Sequence, residues 1–274
     1  MSDINLRSVE AHFSFGENWK SFSGTIDDRA IAHAEIGLRK LFPNGGLQGC
    51  RFLDIGCGSG LSMLAARRLG AAIVDGVDID PTSVETARAL LAKYLPQGGW
   101  NANVASVFDL VPTPAHQYDI VHSWGVLHHT GDLVAALAKA ATMVPRHGRL
   151  ALGLYRRTPL CWAWRLEKRF YRSSGPHVQA ALRAAYKFLY CSGLALTGRG
   201  PGKYISSYRS SRGMSWHHDV HDWLGGYPYE SVGPREVRDH LERLGLAVTA
   251  VFEKPAAVFG LFGSHCDEFV AVRA

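Results

Sequence analysis

Ten residues, Arg51-Phe52-Leu53-Asp54-Ile55-Gly56-Cys57-Gly58-Ser59-Gly60, carry the densest chemical signal in the chain. An apolar run holding one acid leads into three glycines in five residues, and an apolar-periodic stretch from Leu61 to Leu69 closes on Gly70. That order predicts a buried strand, a tight turn and a helix. Glycines without a Cβ let a ligand lie close against the backbone at Gly56, Gly58 and Gly60. The helix behind them offers free N–H groups and the positive end of its dipole. A second run, Ile73 to Asp80, ends in acids. Asp78 stands 18 residues past Gly60, where a carboxylate can accept both hydroxyls of a ribose. Two histidine groups complete the chemical inventory: His128-His129, and the stretch Trp216-His217-His218-Asp219-Val220-His221-Asp222-Trp223.

The third glycine comes one residue early for the dinucleotide fingerprint, and the acid Asp54 would repel a pyrophosphate but attract an ammonium. Both features favour a cofactor with an amino-acid end. The stretch resembles motif I of the class I S-adenosylmethionine-dependent methyltransferases. The segment Ser123-Trp124-Gly125-Val126-Leu127-His128-His129 is similar to the part of those enzymes that faces the transferable methyl group. Residues 212–230 resemble the tail of bacterial methyltransferases grouped with the ubiquinone-pathway O-methyltransferases.

That resemblance implies S-adenosyl-L-methionine as cofactor. It implies Asp54 at the methionine amine, Asp78 at the ribose and Ile79 on the adenine face. Cys57 belongs to the glycine turn, while Ser106, Val107 and Asp109 fall where the family grips the adenine edge. Ser106 replaces a common aspartate there, so its backbone, that of Val107, or the Asp109 carboxylate takes over the contact. Ser123 and Trp124 fall on the cofactor side of the fourth strand's end, and Trp19 or Phe15 lids the site unless that aromatic cluster only anchors the first helix. Some resembled enzymes bind a divalent metal through a Glu-x-x-Glu-His run. Here the corresponding residues are Gly125, His128 and His129, so no metal site carries over. His128 is the expected acceptor-facing base, His129 a loop-ordering residue or base. His218 and His221 stand as acceptor-site candidates, with two other readings open: metal ligation by His217 and His221, or purely structural bonding.

The elements that must position these groups follow from periodicity. Strands near 51–55, 71–78, 102–107, 118–123 and 148–155 alternate with helices near 61–69, 82–94 and 133–143, a βαβ rhythm that predicts a parallel sheet wound on both faces. A helix over 234–244 and strands over 246–253 and 267–272 complete it. The expected fold is α/β: a doubly wound, seven-stranded, mostly parallel, Rossmann-like sheet with a helical lid inserted before the last helix and two strands. Asp80 and Pro81 read as N-cap and first residue of a helix, and Thr25 as the N-cap of an earlier one running to about Leu41. Every candidate cofactor residue falls at a predicted carboxyl end of a strand, where such sheets bind ligands. The segments are 1–45 (cofactor-covering), 46–155 (core), 156–232 (lid over the acceptor) and 233–274 (completion of the sheet).

The 274 residues are 47% apolar and 20% charged, ordinary for a globular protein, without a run of the roughly 20 apolar residues a membrane span needs. Five scattered cysteines without a C-x-x-C pattern suggest a reducing, cytoplasmic setting, and the N-terminus does not read as a secretory signal. From Arg156 to Gly213 there are twelve cationic residues against one acid, Glu167. That is +11 in a chain whose total is +6, leaving −5 elsewhere. Helices over 159–173 and 176–192 carry apolar and aromatic faces, and the Trp216–Trp223 stretch reads as a shaped turn bounded by Gly225, Gly226 and Pro228. Such an element suits an acidic acceptor, an anionic membrane surface touched from the cytoplasmic side, or a solvated lid. Nucleic acid fits poorly, since no RNA-binding motif accompanies the charge. The expected reaction is metal-independent, in-line methyl transfer to an oxygen, or a nitrogen, of a small or lipid-linked, acidic metabolite. The alternatives are an RNA or protein methyltransferase and a methyltransferase-like binding module without turnover.

Overall fold

The computed structural model describes residues 6–113, 117–212, 215–254 and 257–274. Seven strands form one sheet: β1 (Arg51–Ile55), β2 (Ile73–Asp78), β3 (Trp100–Val104), β4 (Ile120–Trp124), β5 (Arg149–Tyr155), β6 (Leu246–Phe252) and β7 (Cys266–Arg273). Their order is β3-β2-β1-β4-β5-β7-β6, with β7 antiparallel to both neighbours and the other pairings parallel. The chain reverses direction across the sheet between β1 and β4, which opens a crevice at their carboxyl ends.

Helices cover both faces: α1 (Phe15–Ser23), α2 (Asp28–Leu41), α3 (Leu61–Arg68), α4 (Pro81–Tyr94), α5 (Leu133–Thr142) and, near the end, α10 (Pro234–Arg243). Alternate residues of β1 divide the core. Phe52 packs with Ile31 and Leu38 of α2, Leu64 of α3 and Leu91 of α4. Leu53 and Ile55 pack on the opposite face with Leu137 of α5 and Leu241 of α10. Burial on both faces is why these parallel strands read as apolar runs rather than as an alternation.

The insertion folds as four helices, α6 (Cys161–Ser173), α7 (Pro176–Leu196), α8 (Pro201–Arg212) and α9 (Trp216–Gly225). They share a small aromatic core of Phe13, Tyr171, Tyr208, Trp216, Val220 and Leu224. Local expectations need correction at several points. The Trp216–Trp223 stretch is a helix, not a turn, because Trp216, Val220 and Leu224 recur at helical spacing and are all buried. The N-cap of α2 is Asp27, whose carboxylate accepts the Ala30 N–H at 3.0 Å, whereas the Thr25 hydroxyl donates to the Phe22 carbonyl. Residues 15–23, read only as an aromatic cluster, are helical. Of the tail-like stretch 212–230, residues 213–214 lie outside the described residues.

Candidate active site

The glycine turn is pinned to the end of β2. Gly56 and Cys57 donate their N–H groups to the Val77 carbonyl at 2.7 and 3.0 Å. Gly56 and Gly58 both have positive φ, +77° and +51°. A Cβ on Gly56 would run into the Val126 side chain, and one on Gly58 would meet the Trp19 indole at 3.2 Å. Trp19 therefore stands over the turn, carried there by α1. Asp80 fixes that helix: one oxygen accepts Thr82 N–H at 2.8 Å and caps α4, while the other accepts Gly16 N–H at 2.9 Å. The first role was legible from the Asp80-Pro81 pair, and the second has no local signal.

Asp78 sits at the carboxyl end of β2 with one oxygen accepting Gly58 N–H and the other Asp80 N–H, each at 3.0 Å. Burial pushes its carboxyl up to about 6, against the pull of those two backbone bonds. Asp54, in β1, is buried and hydrogen-bonded to His122 of β4, Oδ1 to Nδ1 at 2.8 Å. Sequence reasoning missed His122. Its only signal is the strand pairing that sets Asp54 opposite it.

A cavity of 710 Å³ opens onto these residues, in the upper part of the ~300–1,000 Å³ range of small-molecule sites. Asp54, Gly56, Cys57, Gly58, Asp78, Ile79, Ser106, Val107, Trp124, Trp19 and Phe15 all line it. Gly60 does not, serving instead as the left-handed residue that opens α3, tight against Ala87. Asp109 does not line the cavity either, being the exposed last residue of a short 3-10 turn, Val107–Asp109. Nor does Ser123, whose hydroxyl is buried and donates to the Ile55 carbonyl at 2.9 Å inside the sheet.

The histidines sort differently from expectation. His128 does not reach the cavity: it is fully buried, its ring 3.9 Å from that of Tyr155, and burial holds it well below the usual imidazole range. His129 does line the cavity, with Nδ1 2.6 Å from the Pro228 carbonyl and burial lowering it to about 3, so it is neutral and loop-ordering rather than a strong base. His218 turns to the Ser21 hydroxyl at 3.1 Å, and His221 to the Tyr171 hydroxyl at 2.7 Å with Arg183 at 3.2 Å; neither lines the cavity. Lys187 lies against His217 at 2.6 Å, so the ring nitrogens proposed as metal ligands face cations instead. What α9 presents to the cavity is the other half of its sequence: Trp216, Asp219, Val220, Asp222 and Trp223. Asp222 accepts an amide N–H of Asn18 at 2.8 Å, and burial raises its carboxyl well above the ordinary range. A helix has one inward stripe, and spacing alone left open whether histidines or aspartates would occupy it.

The far end of the cavity is aromatic, with Tyr186, Tyr190, Tyr204, Tyr208 and Phe262. The tyrosine hydroxyls are engaged: Tyr186 donates to the Phe262 carbonyl, Tyr190 and Tyr204 bond each other, and Tyr208 donates to Asp219. Their rings pack against one another, Tyr190 at 6.0 Å from Tyr186 and 5.4 Å from Tyr204, and form an aromatic wall. Among the described lining residues, the lysine and arginine are Lys254 and Arg7, both outside the basic insertion.

Comparison with known proteins agrees with this geometry. Residues 53–152 match the family model described as a methyltransferase domain. The stretch 53–152 is therefore a methyltransferase domain. The chain's fold resembles magnesium protoporphyrin IX methyltransferase from Synechocystis PCC 6803 with bound SAH, at a TM-score of 0.55 and 18% identity over 90% of this chain and 84% of that one. A ubiquinone biosynthesis O-methyltransferase of Xanthomonas campestris pv. campestris is 34% identical over 117 residues, 43% of this chain and 48% of that protein. A ribosomal protein L11 methyltransferase of Dechloromonas aromatica is 45% identical over 74 residues, 27% of this chain and 23% of that one. The chain thus spans about half the length, or less, of these curated relatives. S-adenosylmethionine is the cofactor of such a domain, and the residues fit it. The Asp78 carboxylate keeps acceptor capacity beyond its two backbone bonds, and the buried Asp54 faces the same cavity.

Proposed function

We propose that this methyltransferase domain methylates an oxygen of a small, aromatic, uncharged acceptor without a metal ion, and that Asp222 receives the acceptor's proton. One observation carries the reading: a single cavity joins the glycine turn and its acids to the aromatic underside of the lid. The cofactor supplies a sulfonium methyl group already activated for displacement. Asp54 would hold its amine, Asp78 its ribose hydroxyls, and Ile79 and Val107 its adenine. Trp19 and α1 cover the turn, so water is excluded where donor and acceptor meet, and alignment is the main source of rate. Burial raises the Asp222 carboxyl well above the ordinary aspartate range, so its carboxylate is a stronger base than an ordinary one, whereas burial lowers His129 to about 3.

The basic insertion first suggested an acidic acceptor. Its described cations do not line the cavity, while Asp219 and Asp222 do, which favours an uncharged one. The Xanthomonas relative is an O-methyltransferase of ubiquinone biosynthesis, and an oxygen acceptor borne on an aromatic ring suits the tyrosine-lined chamber here. The test is methyl transfer from labelled S-adenosylmethionine to a panel of phenols, their carboxylated analogues and ribosomal protein. Uncharged phenols should be methylated, and Asp222→Asn should lower kcat while leaving binding of the demethylated cofactor intact. Turnover confined to carboxylated analogues or to protein would overturn the acceptor assignment.

A further inference from the structure

The lid is built inside out. On α6, Trp162, Leu166 and Phe170 are 67%, 60% and 56% exposed; Arg169 shares that face, and Arg165 flanks it with its Nε donating to the Tyr229 carbonyl at 3.2 Å. The residues α6 turns inward are Glu167, Lys168 and Tyr171. On α7, Val178, Phe188, Leu189 and Leu196 are exposed, with Ala181, Ala184 and Ala185 between them. Its cations point the other way: Arg183 bonds the Tyr171 hydroxyl at 2.6 Å, and Lys187 reaches His217. Both sets of exposed residues recur at three- and four-residue steps, so each forms one helical stripe. A helix packed on a core in water carries the opposite arrangement, and contiguous exposed apolar surface marks an interaction site.

We propose that the outer faces of α6 and α7 dock on an anionic phospholipid bilayer, the helices lying among the headgroups. Charge selects this occupant. Arg156 and Arg157 are ion-paired and Lys168, Arg183 and Lys187 turn inward, which leaves Arg169 exposed beside the apolar stripe of α6, and the one acid from Arg156 to Gly213, Glu167, has both carboxylate oxygens buried. Arginines flank the apolar stripe of α6 with no exposed acid in the segment. A two-fold pairing of this face with a second copy would bring like charges together. Anionic headgroups answer the arginines while Trp162, Phe170 and Phe188 enter the acyl boundary. Among the described residues no helix is long and apolar enough to cross a membrane, so the helices lie in the interface rather than span it. The inference is independent of which acceptor the site methylates.

Vesicle flotation of the full chain tests it, with phosphatidylglycerol–phosphatidylcholine vesicles set against phosphatidylcholine alone. The protein should float with the anionic vesicles and be released by salt. Arg165→Gln with Arg169→Gln should lower the partition coefficient roughly thirty-fold, at about fivefold per charge near an anionic surface. Trp162→Ser, Phe170→Ser and Phe188→Ser together should abolish flotation, while binding of the demethylated cofactor, read by calorimetry, shows that the variant is folded. Equal partition onto neutral and anionic vesicles, or no flotation at all, would refute the proposal. So would a concentration-dependent dimer that Phe188→Asp dissolves.

Discussion

Asp78 accepts N–H groups from Gly58 and Asp80 at 3.0 Å each and still faces the cavity, so one carboxylate both shapes the turn and waits for a diol. Removing it should weaken binding of the demethylated cofactor by about 1–3 kcal/mol, the worth of charge-assisted hydrogen bonds, as calorimetry on Asp78→Ala will show. Its pH dependence has a definite sign. The carboxylate form accepts the hydroxyls, and burial raises the group to about 6. Affinity should therefore be full above about pH 7 and fall as pH drops through 6, by up to about tenfold per unit. The empty protein responds in the opposite sense. Between the unfolded value, near 3.9, and about 6 the native state holds a proton that the unfolded chain does not. Through this group the empty protein gains stability as pH falls across that window.

Helices α1 and α9 are joined by the Asn18 side chain as well as by the His218–Ser21 contact. The Asn18 amide donates to Asp222 at 2.8 Å and to the His218 carbonyl at 3.1 Å, and Asn18 is itself buried. Asn18→Leu would leave the Asp222 carboxyl buried without that donor. It should cost about 1–3 kcal/mol, read as a lower urea midpoint. On α6 the reverse substitution is favourable. Lys168 is fully buried with no hydrogen-bond partner among the described residues, its ammonium 3.7 Å from the Trp223 ring centre, and burial lowers it to about 7. Lys168→Met combined with Glu167→Gln fills similar volume, removes both buried charges and leaves neither uncompensated. Thermal melting should show a gain of about 1–4 kcal/mol, and an unchanged or lower midpoint would mean that the aromatic cage offsets the burial.

Across the whole molecule the cavity draws walls from the N-terminal helix, the carboxyl ends of β1, β2 and β4, and the lid. A ligand that bridges such distant segments should stabilise all of them together. Demethylated cofactor at a hundred times its dissociation constant should add about 2.7 kcal/mol of stability, or several degrees in Tm. At the same concentration Asp78→Ala should show a much smaller rise, which calorimetric scanning of both proteins will decide.

The sheet was legible in the sequence because strands buried on both faces must be apolar throughout, and Gly56, Gly58, Asp54 and Asp78 were legible because their backbone and charge requirements are local. The order β3-β2-β1-β4-β5-β7-β6 then brought those separate stretches to one rim. Three things were decided only by the tertiary structure. His122 joins Asp54 across a strand pairing that no local pattern encodes. The aspartates of α9 face the cavity while His218 and His221 turn away, because Trp216, Val220 and Leu224 fix the rotation of that helix in the aromatic core. The insertion's charge was visible as a sum, but the outward turn of Trp162, Phe170 and Phe188, with Lys168 and Glu167 inward, depends on which face the core takes. Composition carries no information about that choice, because a helix rotated by half a turn has the same residues.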